Sequence, residues 1–196
     1  MLFDEVDLRS LSPAAYRAQI GVVPQEVQLF AGTIASNIAI GAANRSPARI
    51  VAASRLVGAH DFVQRLPEGY ETVLDERGTG LSLGQRQLIA VARALVRNPR
   101  LLILDEATSA LDQAAEAHLL GNLRRAGGGR TVILVTHRPA ALAICDRVVV
   151  LEQGRVAREG PPSEIAASLL PRPPVRRGGL QVVAPAAASV PVAAEG

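Results

Sequence analysis

Leu101-Leu102-Ile103-Leu104-Asp105-Glu106 decides the fold. Four consecutive apolar residues leave no polar face, so the run predicts a strand covered on both sides, as in the middle of a parallel sheet. It ends in two adjacent carboxylates, which places them at the carboxyl edge of the sheet, where open α/β proteins bind ligands. One such carboxylate can hold Mg²⁺, which takes oxygen ligands and substrate phosphates. The other can polarise a water for attack on a phosphoryl group. On the local pattern alone, a helix N-cap followed by a dipole-favoured acid explains the pair equally well.

The flanking residues extend the pattern in both directions. Upstream, Ser82 and Gln85 have capping-box spacing, and Leu88, Ile89, Ala92, Leu95 and Val96 form the apolar stripe of a helix that Asn98-Pro99 ends. Downstream, a helix from about Gln113 to Arg125 stops at Gly127-Gly128-Gly129. Val132 to Val135 reads as a second buried strand, Pro139 to Ile144 as helical, and Val148 to Leu151 as a third strand. A turn at Gly154 leads to a last strand near Arg155 to Ala157, and Pro161-Pro162 opens a helix ending near Leu170. Nearer the amino terminus, Ile20 to Val23 is a strand stopped by Pro24. Ser46-Pro47 opens a helix, with Ser46 as N-cap and Ile50, Val51, Leu56 and Val57 at helical spacing. Strands alternating with helices predict a parallel sheet with crossover helices. From Pro171 onward Pro, Arg, Gly, Ala and Val dominate without period, which reads as a disordered tail, residues 171–196.

Composition agrees with an α/β core and excludes several classes. The chain has 196 residues, 48% hydrophobic but only 3% aromatic, so its core is aliphatic. Its formal charge is +3, and all 21 basic residues are Arg, because no Lys occurs. These arginines are scattered rather than gathered into a run, which argues against a nucleic-acid surface. The single cysteine, Cys145, excludes an internal disulfide and reads as a small buried hydrophobe. The acidic start, Met1-Leu2-Phe3-Asp4-Glu5, is not a signal peptide. No stretch reads as a membrane span.

The remaining polar motifs cluster around the same predicted edge. Ser82, Gly84 and Gln85 sit at a helix start, where a hydroxyl, free N–H groups and the positive dipole end suit a phosphate. Ser109-Ala110-Leu111-Asp112 follows the carboxylates. The next strand ends in Thr136-His137, where a histidine can reach a γ-phosphate.

In this order and spacing, the chain resembles the ATP-binding cassette (ABC) family up to about Leu170. Leu81-Ser82-Leu83-Gly84-Gln85 resembles the signature motif, with Leu83 where Gly is usual. Leu101 to Asp105 resembles Walker B, Ser109 to Asp112 the D-loop, and Gln25 in Val23-Pro24-Gln25-Glu26 the Q-loop glutamine. The stretch from Gln25 to Ile38, Glu76-Arg77-Gly78 (an X-loop with Asp75 where Gly is frequent) and Ala107 after Glu106 are similar to exporters. The resemblance implies an α/β, P-loop NTPase-type (RecA-like) parallel sheet with an inserted α-helical subdomain, approximately 33–97, in a domain of residues 1–170. It implies Glu106 and His137 as catalytic residues, with Gln25, Ser82, Gly84, Gln85 and Asp112 as ATP contacts. Asp105 and Gln25 are the implied Mg²⁺ ligands. The implied partners are the transmembrane domain of an exporter and a second nucleotide-binding domain in a head-to-tail dimer, at the cytoplasmic face of the cell membrane.

One family element is missing. A G-x-x-x-x-G-K-[ST] phosphate loop needs a Lys, and the sequence has none. The expectation is therefore a domain incomplete on its amino-terminal side, truncated before the Q-loop, with apolar surface left open and little solubility as a monomer. Two functions follow. One is an ABC exporter ATPase represented by a fragment. The other is a non-catalytic module that donates only a signature face to a partner's ATP.

Overall fold

In the structure, a computed structural model, residues 2–3, 5–126 and 129–169 are described. Two units organise the chain, Met1–Asp146 and Arg147–Gly196. The first begins with an antiparallel ribbon of β1 (Leu2–Phe3) and β2 (Val6–Asp7), then α1 (Pro13–Ala18) and β3 (Ile20–Val23). Next come β4 (Gly32–Thr33), α2 (Ile34–Ile38), α3 (Pro47–Val57), α4 (His60–Gln64), β5 (Val73–Leu74) and α5 (Leu83–Leu95). It closes with β6 (Leu101–Asp105), α6 (Gln113–Arg125), β7 (Thr131–Val135) and a 3₁₀ turn at Pro139–Ile144. The second unit contains β8 (Val148–Glu152), β9 (Arg155–Gly160) and α7 (Pro162–Leu169). The tail expected from Pro171 lies outside the described residues.

The fold is α/β with a parallel sheet in the order β3-β6-β7, and β6 is its central strand as the apolar run predicts. Val23 pairs with Leu104 and Asp105 with Val135, so the three strands end level with one another. Leu102 and Leu104 are fully buried. The stripe of α5 is buried with them, because a helix of that period turns one whole face to the sheet and to the helices of residues 34–64. The Ser82–Gln85 capping box forms in both directions and fixes where α5 starts.

Three expectations need correction. β7 exists, but it is not a buried strand: Val132, Ile133 and Val135 are 39%, 46% and 48% exposed. It is the last strand of its sheet, so its apolar side chains lack the cover that β6 receives from its neighbours. The strand at Val148 does not join the parallel sheet. It pairs antiparallel with β9, because Gln153 and Gly154 both have positive φ (50° and 73°) and form the tight turn that a two-residue hairpin needs. Pro139–Ile144 is helical as read, in the form of a 3₁₀ turn. Ser46 has N-cap backbone angles, but its side chain makes no cap hydrogen bond.

The contrast between β6 and β7 is measurable. Leu104→Ala is expected to lose about 2–5 kcal/mol of stability in chemical denaturation. Ile133→Thr is expected to stay within roughly 0.5 kcal/mol while raising the monomer fraction in light scattering.

Candidate functional site

Three parallel strands deliver three side chains to one edge. Gln25 follows β3, Glu106 follows β6 and His137 follows β7. Glu106 sits at the centre. Its Oε2 accepts from Nε2 of Gln25 at 3.1 Å, and its Oε1 lies 3.3 Å from Nδ1 of His137. A carboxylate only accepts, so His137 donates through Nδ1 and its Nε2 is left for another partner. His137 is largely exposed and Glu106 partly so, which keeps the pair open to a ligand. The Glu106 backbone is left-handed, with φ of 47°, and its N–H donates to the Val135 carbonyl at 3.0 Å. A non-glycine residue in that region is costly, by about 1–3 kcal/mol. From there the Glu106 carboxylate meets Gln25 after β3 and His137 after β7.

Asp105 is exposed at the end of β6. Because Gln25 uses its amide nitrogen on Glu106, its amide oxygen remains available beside that edge. Two oxygen donors suit Mg²⁺, which prefers a few protein oxygens and fills its shell from phosphate and water. Among the described residues no group of three or more His, Cys, Asp or Glu gathers.

Ser82, Gly84 and Gln85 form a second cluster at the N-terminus of α5. Ser82 Oγ accepts from the Gln85 N–H at 3.2 Å, and the Ser82 N–H donates to Gln85 Oε1 at 2.9 Å. The Gln85 side chain is thus committed to the cap. A Cβ on Gly84 would come within 2.9 Å of the Ala110 carbonyl oxygen, so this glycine lets α5 pack directly on the turn after β6. Asp112 caps α6, accepting from the Ala115 N–H at 2.8 Å. Among the described residues, no hydrogen bond joins Ser82, Gly84 or Gln85 directly to Gln25, Glu106 or His137.

Sequence reasoning missed the residues that hold these parts in place. Gln87, 1% exposed, donates from Nε2 to Ser109 Oγ at 3.1 Å and accepts from the Ala110 N–H at 3.0 Å. Glu116, 2% exposed, accepts from Thr108 Oγ1 at 2.7 Å and pairs with Arg138 at 3.2 Å. Asn37 holds both the N–H and the carbonyl of Phe30, and Arg93 reaches Asn37 and the Gln28 carbonyl while stacking over the Phe30 ring. Partial burial lowers the Arg93 pKa. Each is a polar residue in an apolar helix face or just after a loop, and single-sequence periodicity assigns such positions nothing.

Asp75 explains how Glu76-Arg77-Gly78 is shaped. Its carboxylate accepts from the N–H groups of Arg77 (3.0 Å) and Thr79 (2.8 Å) and from the Thr79 hydroxyl (2.6 Å). Gly78, with φ of 64°, fits between Leu29 and Arg86, where a Cβ would meet carbon atoms at 2.8 and 2.9 Å. The loop therefore touches both the segment after Gln25 and helix α5.

With the geometry in place, comparison with known proteins identifies the class: the ABC transporter family profile matches residues 1–109, and the chain belongs to that family. It is 50% identical over 160 residues to the cyclolysin secretion/processing ATP-binding protein CyaB of Bordetella pertussis, covering 82% of this chain and 22% of that protein. It is 46% identical over 165 residues to the leukotoxin translocation ATP-binding protein LktB of Mannheimia glucosida, covering 84% of this chain and 23% of that protein. The solved structure of a bacterial Atm1-family ABC exporter with ATP bound superposes with a TM-score of 0.80 at 41% identity, over 85% of this chain and 29% of that one. The chain thus spans about a fifth of the length of the curated relatives it matches.

The hydrogen bonds to Asp75 from Thr79 hold its carboxyl below the usual value of 3.8. A depressed folded-state pKa means that the stabilisation is present above 3.8 and is lost as pH falls through the lower folded value. An NMR pH titration is expected to show the Thr79 amide shifting with a midpoint below 3.8. Asp75→Asn should remove that step.

Proposed function

We propose that this chain is part of the ATP-hydrolysing subunit of an ABC exporter. The observation that carries the reading is the Gln25–Glu106–His137 constellation at the carboxyl edge of a parallel sheet, in a chain of this family. Glu106 is the general base. Its carboxylate, held by Gln25 and His137, takes a proton from a water as that water attacks the γ-phosphorus in line, and ADP leaves with the β–γ bridging oxygen. His137 holds the γ-phosphate. While Nδ1 donates to Glu106, a neutral ring presents only an acceptor at Nε2, so the imidazolium form is the one that donates to phosphate oxygen. Asp105 and the Gln25 amide oxygen would hold Mg²⁺, which neutralises developing phosphate charge.

Ser82 and Gly84 present the N-terminus of α5 to the ATP of a second nucleotide-binding domain in a head-to-tail pair. The transmembrane domain docks on the groove of about 430 Å³ beside the segment after Gln25, where Val22, Val27 and Phe30 supply apolar contact and Arg93 fixes the wall. In this reading the chain works at the cytoplasmic face of a membrane. Among the described residues no helix is long and apolar enough to cross one. The names of the relatives point to protein toxins as a class of exported cargo.

The alternative, a signature face without catalysis of its own, draws on the absence of Lys from these residues. One experiment separates the two. The chain alone is expected to show no Mg²⁺-ATP turnover. Grafted in place of the matching segment of the 50%-identical relative, it should support turnover that Glu106→Gln lowers by about 10²–10³-fold. A graft that folds, binds ATP and does not hydrolyse it would favour the alternative.

A further inference from the structure

Ser109–Asp112 is the only covalent segment between Glu106-Ala107-Thr108 and α6, and it is gripped from two sides by side chains to which the catalytic reading gives no task. From one side, Gln87 on α5 makes a two-point contact, donating to Ser109 Oγ and accepting from the Ala110 N–H. From the other side, Arg138, next to His137, sends one guanidinium nitrogen, Nη1, to the carbonyls of Thr108 (3.0 Å) and Leu111 (3.1 Å). The same Nη1 lies 3.2 Å from Glu116 Oε2, and Glu116 Oε1 takes the Thr108 hydroxyl. Glu116 and Gln87 are both nearly inaccessible to water. Burying a carboxylate is costly, and here the compensating charge comes from the one arginine that also touches the turn. Gly84 adds a steric stop, since its backbone packs on the Ala110 carbonyl.

We propose that Gln87 and Arg138 are positioning residues that clamp the Ser109–Asp112 turn, so that the helix start bearing Ser82 and Gly84 and the edge bearing Glu106 and His137 are held in one fixed relation. In terms of the function proposed above, on which this inference rests, the two faces of this chain serve two different ATP molecules. Arg138 is suited to the clamp because its backbone N–H is itself tied to Thr136 Oγ1 at 3.0 Å, one residue before His137. A change in the turn therefore pulls on the segment that carries the histidine.

The test is amide hydrogen exchange of the full chain, resolved by NMR, and it needs no nucleotide. Gln87→Met keeps length and apolar volume but removes both hydrogen bonds. If Gln87 only fills space, exchange at Ala110 and Arg138 does not change. If it clamps, the Ala110 amide exchanges about tenfold faster or more. The Arg138 amide follows on the far side, while the α5 amides from Ile89 to Leu95 and those of β6 stay within about twofold. Arg138→Lys keeps the charge, loses the planar fork and should give the reciprocal result, with Ala110 accelerated and α5 unchanged. Acceleration of Ala110 without Arg138, or of every amide alike, overturns the clamp. Because ATP is absent, a failed clamp and a failed hydrolysis assay are separate outcomes.

Discussion

The structure depends on the level, parallel register of three strands. Val23 opposite Leu104, and Asp105 opposite Val135, bring β3, β6 and β7 to an end in one row. A one-residue slip of β7 would turn its side chains to the opposite faces and withdraw His137 from Glu106, because strand side chains alternate with a period of two. The hydrogen-bond ladder and the burial of Leu102 and Leu104 set that register together. The positions of Gln25, Glu106 and His137 are consequences of sheet formation, and the Glu106 backbone is left-handed at that edge.

Around this row the polar contacts divide by purpose. At Phe30, Asn37 and Arg93 the segment after Gln25 is bound to the helical part of the chain through the backbone N–H and carbonyl of Phe30 and the carbonyl of Gln28, with the Phe30 ring under the Arg93 guanidinium. At Asp75 and Gly78 the same segment meets α5 through a loop shaped by one carboxylate. At Gln87 and Arg138 the turn after β6 is held by two side chains from distant parts of the chain. The three ties share α5 or its immediate neighbours. This long, fully apolar-faced helix is therefore the rigid member against which the loops are referenced, and a capping box with both of its hydrogen bonds present suits it to that part.

Much of this was legible in sequence because it is written in local chemistry. Leu101 to Leu104 has no polar face and reads as an inner strand. Ser82 with Gln85 can be read as a cap before any tertiary contact is known. The sheet partner of β6 on one side, the short Ile20–Val23, was read as a strand, but its adjacency was not, since pairing across some eighty residues leaves no periodic trace. The same blindness produced the error at β8. An apolar run of four residues looks alike in a sheet and in a hairpin, and the deciding angles belong to Gln153, a residue with no strong preference for positive φ.

Burial of polar residues is where sequence reasoning fails most instructively. Gln87 lies between Arg86 and the apolar stripe of α5, and Glu116 lies between Ala115 and Ala117, so composition would place both in solvent. Each is buried because a partner reaches it from a distant part of the chain: the 109–110 backbone for Gln87, Thr108 and Arg138 for Glu116. A buried polar group without such partners would cost several kcal/mol, on the order of the net stability that a mutation can remove. Their burial therefore implies that the turn they hold has one preferred position. The open β7 face shows the opposite condition, since Val132, Ile133 and Val135 have no such partners among the described residues and stay exposed. A turn held in one position and a bare strand in the same unit place the specificity of this structure at the loops that follow the sheet rather than in the sheet itself.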